Sequence, residues 1–120
     1  MKILLVIPSR AFGNNPGYTK FPDELLCIAG VLEAGGHDVR IWDCNLDKLA
    51  PAQFVEFAPG LIGFSVATGP NISHSLILSG KFRELLPETK FVWGFRHPSS
   101  LPEVTMSNEL VDFVIKYLIN

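Results

Sequence analysis

The residues of this chain best suited to chemistry are small ones that follow two apolar runs. LIGFSVATGPN, from Leu61 to Asn71, and FVWGFRHPSS, from Phe91 to Ser100, each read as a buried strand that breaks abruptly into small and polar residues. In an open parallel sheet, ligands bind in the crevice beyond the carboxyl ends of the strands, and a cofactor reaches the backbone there only where side chains are short. Gly63, Ser65, Ala67, Gly69 and Gly94 meet that need. The chemistry they imply is binding, since no nucleophile, base and orienting acid can be assembled from the remaining candidates.

Each reactive residue has two readings. Ser65 either contacts a ligand or satisfies backbone groups at its strand end. Arg10, in the loop after the first strand, either reaches a phosphate or is a solvated charge. His97 lies in a loop on the ligand side of the sheet, where it touches ligand or is locally hydrogen-bonded. His37 opens strand two at the opposite edge and reads as structural, and His74 falls in the first turn of a helix, where a surface role is expected. Cys27 sits among apolar helix residues and reads as core, while Cys44 lies beside the crevice without a base to activate it.

The elements that must position these residues alternate along the chain. Lys2 to Ile7 is a continuous branched apolar run, as in a strand covered on both faces. Pro8 to Phe21 carries Gly13, Asn14, Asn15, Pro16 and Gly17 and reads as a long loop. A helix opens at Pro22 and Asp23, sets Leu25, Ile28, Ala29 and Leu32 along one stripe, and stops at Gly35 and Gly36. Val39, Ile41 and Trp42 form strand two, ending at Asp43. Pro51 to Phe57 is expected to be a short helix with Phe54 and Phe57 inward. Strand three follows, then a helix capped by Asn71 or Ser73 with Ile72, Leu76, Ile77, Phe82 and Leu85 as its stripe. Lys90 to Gly94 is strand four, Leu101 to Asn108 a short helix, and Glu109 to Lys116 strand five, with a continuation into the final YLIN left open. Strand and helix alternation implies right-handed crossovers and a parallel sheet. The expected fold is a three-layer α/β/α, flavodoxin-like (Rossmann-like), doubly wound five-stranded sheet of order 2-1-3-4-5.

Composition narrows the function. At 120 residues, 48% hydrophobic and 18% charged, the chain reads as one globular domain spanning residues 1–120. A formal net charge of -2 without a Lys/Arg cluster argues against nucleic acid. Two cysteines make neither a metal knot nor a disulfide framework, so a reducing cytoplasm is expected. MKILLVIPS is too short for a secretory segment, and no run approaches a membrane span.

Among users of such sheets, a phosphoacceptor receiver domain needs acidic residues after strand one and an aspartate after strand three, where this chain has Pro8, Ser9 and Ser65. A flavodoxin wraps the FMN phosphate in a hydroxyl-rich turn at helix one, replaced here by a loop with the single threonine Thr19. A dinucleotide fold would place G-x-G-x-x-G after strand one, and the pattern is absent.

One resemblance covers nearly the whole chain. PSR after strand one, FPDELLCIAGVLEAGGHDVRIWD through helix one and strand two, LIGFSVATGPN, and VWGFRHPSSLPE followed by VDFVIK resemble the cobalamin-binding domain at the amino end of B12-dependent radical SAM enzymes. The family's L-x-x-x-G-H-x-V and aspartate are matched by Leu32, Gly36, His37, Val39 and Asp43. Its G-x-S and hydroxyl-rich turn are matched by Gly63, Ser65 and Thr68, and its W-G-G-x-H-P by Trp93, Gly94, His97 and Pro98.

The resemblance implies a slot beside the sheet for the detached dimethylbenzimidazole tail and a platform over the strand ends for the corrin ring. In that reading Ser65 bonds the tail, Ala67, Thr68 and Gly69 support ring or phosphate contacts, and Gly94, Phe95, Arg96, His97 and Pro98 wrap the nucleotide, with Ser9, Arg10 and Asp43 completing the site. D-x-H-x-x-G is absent, so cobalamin would be base-off with no protein histidine on cobalt. Three departures carry expectations. Phe95 stands where the family has a second glycine, so its ring is expected to crowd the nucleotide and Phe95→Gly to tighten binding. The family's acidic G-E-G-E turn after strand five is replaced by Lys116, Tyr117, Leu118, Ile119 and Asn120. No C-x-x-x-C-x-x-C motif is present, so the iron–sulfur cluster would belong to a radical SAM catalytic domain C-terminal to this module, of methyltransferase or magnesium-protoporphyrin ester cyclase type. The alternatives are a degenerate scaffold for protein contacts without cofactor, and an FMN-binding electron carrier.

Overall fold

The computed structural model describes residues 1–11, 22–67 and 69–116. The elements run β1 (Lys2–Ile7), α1 (Asp23–Ala34), β2 (Asp38–Asp43), a single 3-10 turn (Pro51–Phe54), β3 (Leu61–Ser65), α2 (Pro70–Leu85), β4 (Lys90–Gly94), α3 (Arg96–Ser100), α4 (Pro102–Met106) and β5 (Phe113–Val114). All strands are parallel, in the order β2-β1-β3-β4-β5. This is the flavodoxin-like sheet expected from the alternation of elements. Its order reverses between β1 and β3, the position at which doubly wound sheets open a crevice.

The two faces of the sheet are filled differently. On one, Trp42, Phe54, Phe64, Phe82, Phe91 and Trp93 form a continuous aromatic cluster. Neighbouring rings lie between 5.2 and 6.4 Å apart, each pair tilted or edge-on, the arrangements their quadrupoles favour. On the other face the buried cluster is only Ile3, Leu5 and Ala29, flanked by Leu25, Leu32, Val39, Ile41 and Leu61. Of the described helices, α1 alone contributes to this second cluster, and it lies toward β1 and β2.

That thin cover changes two expectations about α1. Ile28 is half exposed and Cys27 is at the surface rather than in the core, because the flank of α1 turned toward β3 and β4 has no described helix beside it. In α2 the buried residues are Asn71, Ser75, Leu78, Ser79 and Phe82, while Ile77 and Leu85 of the expected stripe are exposed. Small residues on the inner side let the helix lie close to a face already crowded with rings. The cap also differs. Gly69, at φ +77°, precedes Pro70 at the first helical position, with no side-chain cap bond from Asn71 or Ser73.

The segment after Pro51 makes one 3-10 turn instead of a helix to Phe57, although Phe54 and Phe57 do point inward. Residues 96–106 form two short helices broken at Leu101, whose φ of −130° and ψ of 61° lie outside the helical region that Pro102 disfavours for the residue before it. β5 is reduced to two residues because Asn108 to Val111 closes a turn, Val111 N donating to Asn108 O. The amino end of the sheet is tied by Asp112, whose Oδ2 accepts from Phe91 N (2.8 Å) and Arg83 Nη2 (3.0 Å). Burial alone would raise that carboxyl, but these two donors outweigh it and hold it below the ordinary range. Thr19, most of the Pro8 to Phe21 loop and the final YLIN lie outside the described residues.

Candidate cofactor-binding site

Strand alternation builds the site from the thin face. Phe64 and Trp93 point into the aromatic cluster, so their neighbours Gly63, Ser65, Val92 and Gly94 face the other way. Between them and α1 lies an apolar slot of about 130 Å³, lined by Leu5, Leu25, Ile28, Gly63, Val92, Gly94, Phe95 and Ile115, with Glu24 and Ser65 at its edge. A single water requires about a tenth of that volume. A Cβ on Gly63 would come within 3.0 Å of Leu5 Cδ2, and one on Gly94 would stand 3.7 Å from Ile115 Cβ. The slot is therefore a cradle whose floor exists because two residues lack side chains.

Above it, at the carboxyl ends of β1 and β3, a smaller polar compartment of about 80 Å³ is lined by Ile7, Arg10, Pro22, Asp23, Glu24, Leu25, Ser65 and Phe95. Glu24, Leu25, Ser65 and Phe95 border both spaces, so the two are storeys of one crevice at the β1/β3 reversal.

Buried polar side chains fix the rim. Asn71, almost wholly buried, accepts from Ala67 N at 2.7 Å and donates to Pro8 O at 2.8 Å and Ser9 O at 3.2 Å. One amide thus joins the loop after β1 to the loop after β3. Ser9 N donates to His74 Nδ1 at 2.7 Å, which requires the neutral ring, and burial with the nearby Lys81 charge lowers the pKa of His74. Asp43 is buried at the end of β2. Its Oδ1 accepts from Asn45 N and Nδ2, and Asn45 in turn donates to Pro8 O and accepts from Arg10 N. On the opposite side of the rim, Cys44, His74, Lys48 and Lys81 border an open hollow. The Cys44 thiol is pushed up to about 12 by burial and by the Asp43 carboxylate, so it is no nucleophile at neutral pH.

Phe95 occupies the strained point of the site. Its φ of +85° and ψ of −152° fall in a region adopted almost only by glycine, at a cost of about 1–3 kcal/mol for another residue. The Arg96 guanidinium lies 5.4 Å from its ring centroid. The flanking backbone is fixed, with Val66 N donating to Gly94 O and His97 N to Val66 O.

Of the residues singled out from sequence, Arg10, Ser65, Gly94 and Phe95 come together around the crevice. Ser9, Asp43 and Ala67 lie along its rim in the bonds just described. Gly69 starts α2, Arg96 is exposed, His97 is half-buried and Pro98 is buried in α3. Thr68 lies outside the described residues. His74 is a loop anchor rather than a surface group. Asn71 and Asn45 were not singled out for the site; a turn-forming Asn reads as a cap until the loops it joins are known to be adjacent. Glu24, Leu25 and Ile28 reach the crevice because α1 is set off toward β2.

The family model for the B12 binding domain matches residues 10–117. The chain belongs to that family, whose membership supports cobalamin binding. Among solved structures it is similar to the response regulator TrrA from Thermotoga maritima in complex with Mg2+-BeF, at 14% identity and a TM-score of 0.58, covering 100% of this chain and 90% of that one. It is also similar to a chain of the complex of histidine kinase ThkA with TrrA, at 14% identity and a TM-score of 0.59, covering 100% and 89%. At that identity the likeness is one of fold. No curated protein matches the sequence. Among the described residues no helix is long and apolar enough to cross a membrane.

Proposed function

We propose that this chain is the cobalamin-binding module of a B12-dependent radical SAM enzyme, non-catalytic by itself. The observation that carries the reading is the glycine-floored slot beneath the β1/β3 reversal. Its apolar lining and volume of about 130 Å³ fit a flat aromatic base, and its polar upper storey fits the linkage leading to that base. Leu5, Leu25, Ile28, Gly63, Val92 and Gly94 would hold the benzimidazole away from water. The Ser65 hydroxyl would bond the tail, and Arg10 would face its phosphate. Ser9, Asp43, Ala67, Thr68, Gly69, Arg96, His97 and Pro98 would shape the rim under the corrin ring. When bound, cobalamin supplies a cobalt centre for methyl or radical transfer.

In the spacing of D-x-H-x-x-G, the run from Pro8 to Gly13 places Pro8, Arg10 and Gly13 at the three positions, which supports the absence of a histidine on cobalt, while the base-off form rests on the slot. Residues 1–120 would act as one unit in the cytoplasm. The catalytic domain, of methyltransferase or magnesium-protoporphyrin ester cyclase type, would follow it and carry the iron–sulfur cluster. Titration with hydroxocobalamin under visible absorbance tests this. A saturable spectral change to the base-off form is expected. No change would favour a scaffold without cofactor, and a protein yellow as purified would favour flavin.

A further inference from the structure

Phe95 is the one described residue in the crevice that keeps a bulky side chain on a backbone shaped for glycine. Such strain persists where surrounding structure imposes it and the side chain has work to do. Here the surroundings are rigid: Gly94 O and Val66 O, on either side, are both engaged by backbone donors, and Pro98 is buried two residues after Arg96. The ring borders the polar storey and the apolar slot alike, together with Leu25, Ser65 and Glu24. Those four residues form a neck. A group that extends from the polar storey into the slot passes beside the Phe95 ring, whereas a ligand confined to the rim does not.

Resting on the cobalamin reading above, we infer that Phe95 is a specificity-determining residue that selects corrinoids by their lower base. Its ring narrows the way into the slot, so that a bulky bicyclic base gains less from the apolar lining than it would beside a smaller residue, and a corrinoid without a nucleotide is unaffected. The slot itself remains open below the ring, so the selection acts at the neck and is not a loss of the site.

The test is a pair of visible-absorbance titrations, with hydroxocobalamin and with cobinamide, which lacks the nucleotide, on the wild-type chain, Phe95→Gly and Phe95→Ala. Wild type is expected to bind both corrinoids, with the nucleotide adding less affinity than it does in either variant. Both substitutions should tighten cobalamin by about tenfold, the scale on which one apolar group in a pocket discriminates, and leave cobinamide nearly unchanged. Phe95→Ala separates ring from strain, since it shortens the side chain while keeping a non-glycine residue at positive φ. Equal shifts for both ligands, an unchanged preference, or tightening by Phe95→Gly alone would overturn the inference while leaving cobalamin binding intact. Failure of all three proteins to bind either corrinoid would instead remove the cobalamin reading, and the inference with it.

Discussion

The two faces of one sheet are made by the same strands and serve opposite ends. β3 and β4 send Phe64, Phe91 and Trp93 into an aromatic cluster with almost no exposure, and from alternate positions send Gly63, Ser65, Val92 and Gly94 toward a slot. Stability resides mainly on the side where side chains are large, and the proposed binding site lies where they are missing. The difference teaches that a cofactor cavity in a small domain need not weaken its core, because the period of two separates the two demands residue by residue.

The comparison is broken most severely from the packed side. Phe64→Ala empties a fully enclosed position and should cost about 3–5 kcal/mol, read as a fall in the urea midpoint. Next is the rim. Asn71→Ala leaves the Ala67 N–H and a loop carbonyl unpaired, for a loss of about 1–3 kcal/mol, and frees the loop after β1, so hydroxocobalamin affinity should fall as well. The sharpest contrast comes from the empty side. Gly63→Val puts a strand-favouring side chain into the slot, where its Cβ meets the flexible tip of Leu5 and no other atom within 4 Å. Thermal stability should hold or rise, while hydroxocobalamin binding weakens by about tenfold or more, as one misplaced apolar group in a pocket does.

The smallest effect is one of pH. His74 accepts a bond that requires its neutral form, and its pKa lies below the ordinary 6.5. The unfolded chain therefore binds the proton more readily. The stabilisation is full above pH 6.5 and is lost as pH falls through the folded value. His74→Asn, which keeps an acceptor near the position of Nδ1, should flatten that part of the stability profile. Asp112, already below 3.8, loses its contribution only at more acid pH, so the two windows separate in a series of urea melts.

Much of this was legible in the residues. Continuous branched runs announce β1, β3 and β4, the glycine pair at Gly35 and Gly36 stops α1, and the small residues after Leu61 and Phe91 mark the crevice. Illegible were matters decided by what lies beside an element. Ile28 and Cys27 look like core on a helical wheel, and their exposure follows from how little covers that flank. Asn71 and His74 acquire their roles only when two distant loops meet. Phe95 could be recognised as a departure from a glycine pattern, but its glycine-like backbone is a property of the fold around it.

An amide-resolved NMR titration with hydroxocobalamin tests the central claim most directly. The account predicts the largest shifts at Gly63, Ser65 and Gly94 and along the Leu25 to Ile28 flank of α1, saturating together with the visible spectral change. Shifts centred instead on Cys44, His74 and Lys81 across the sheet, or saturable binding that leaves Gly63 and Gly94 unmoved, would contradict it.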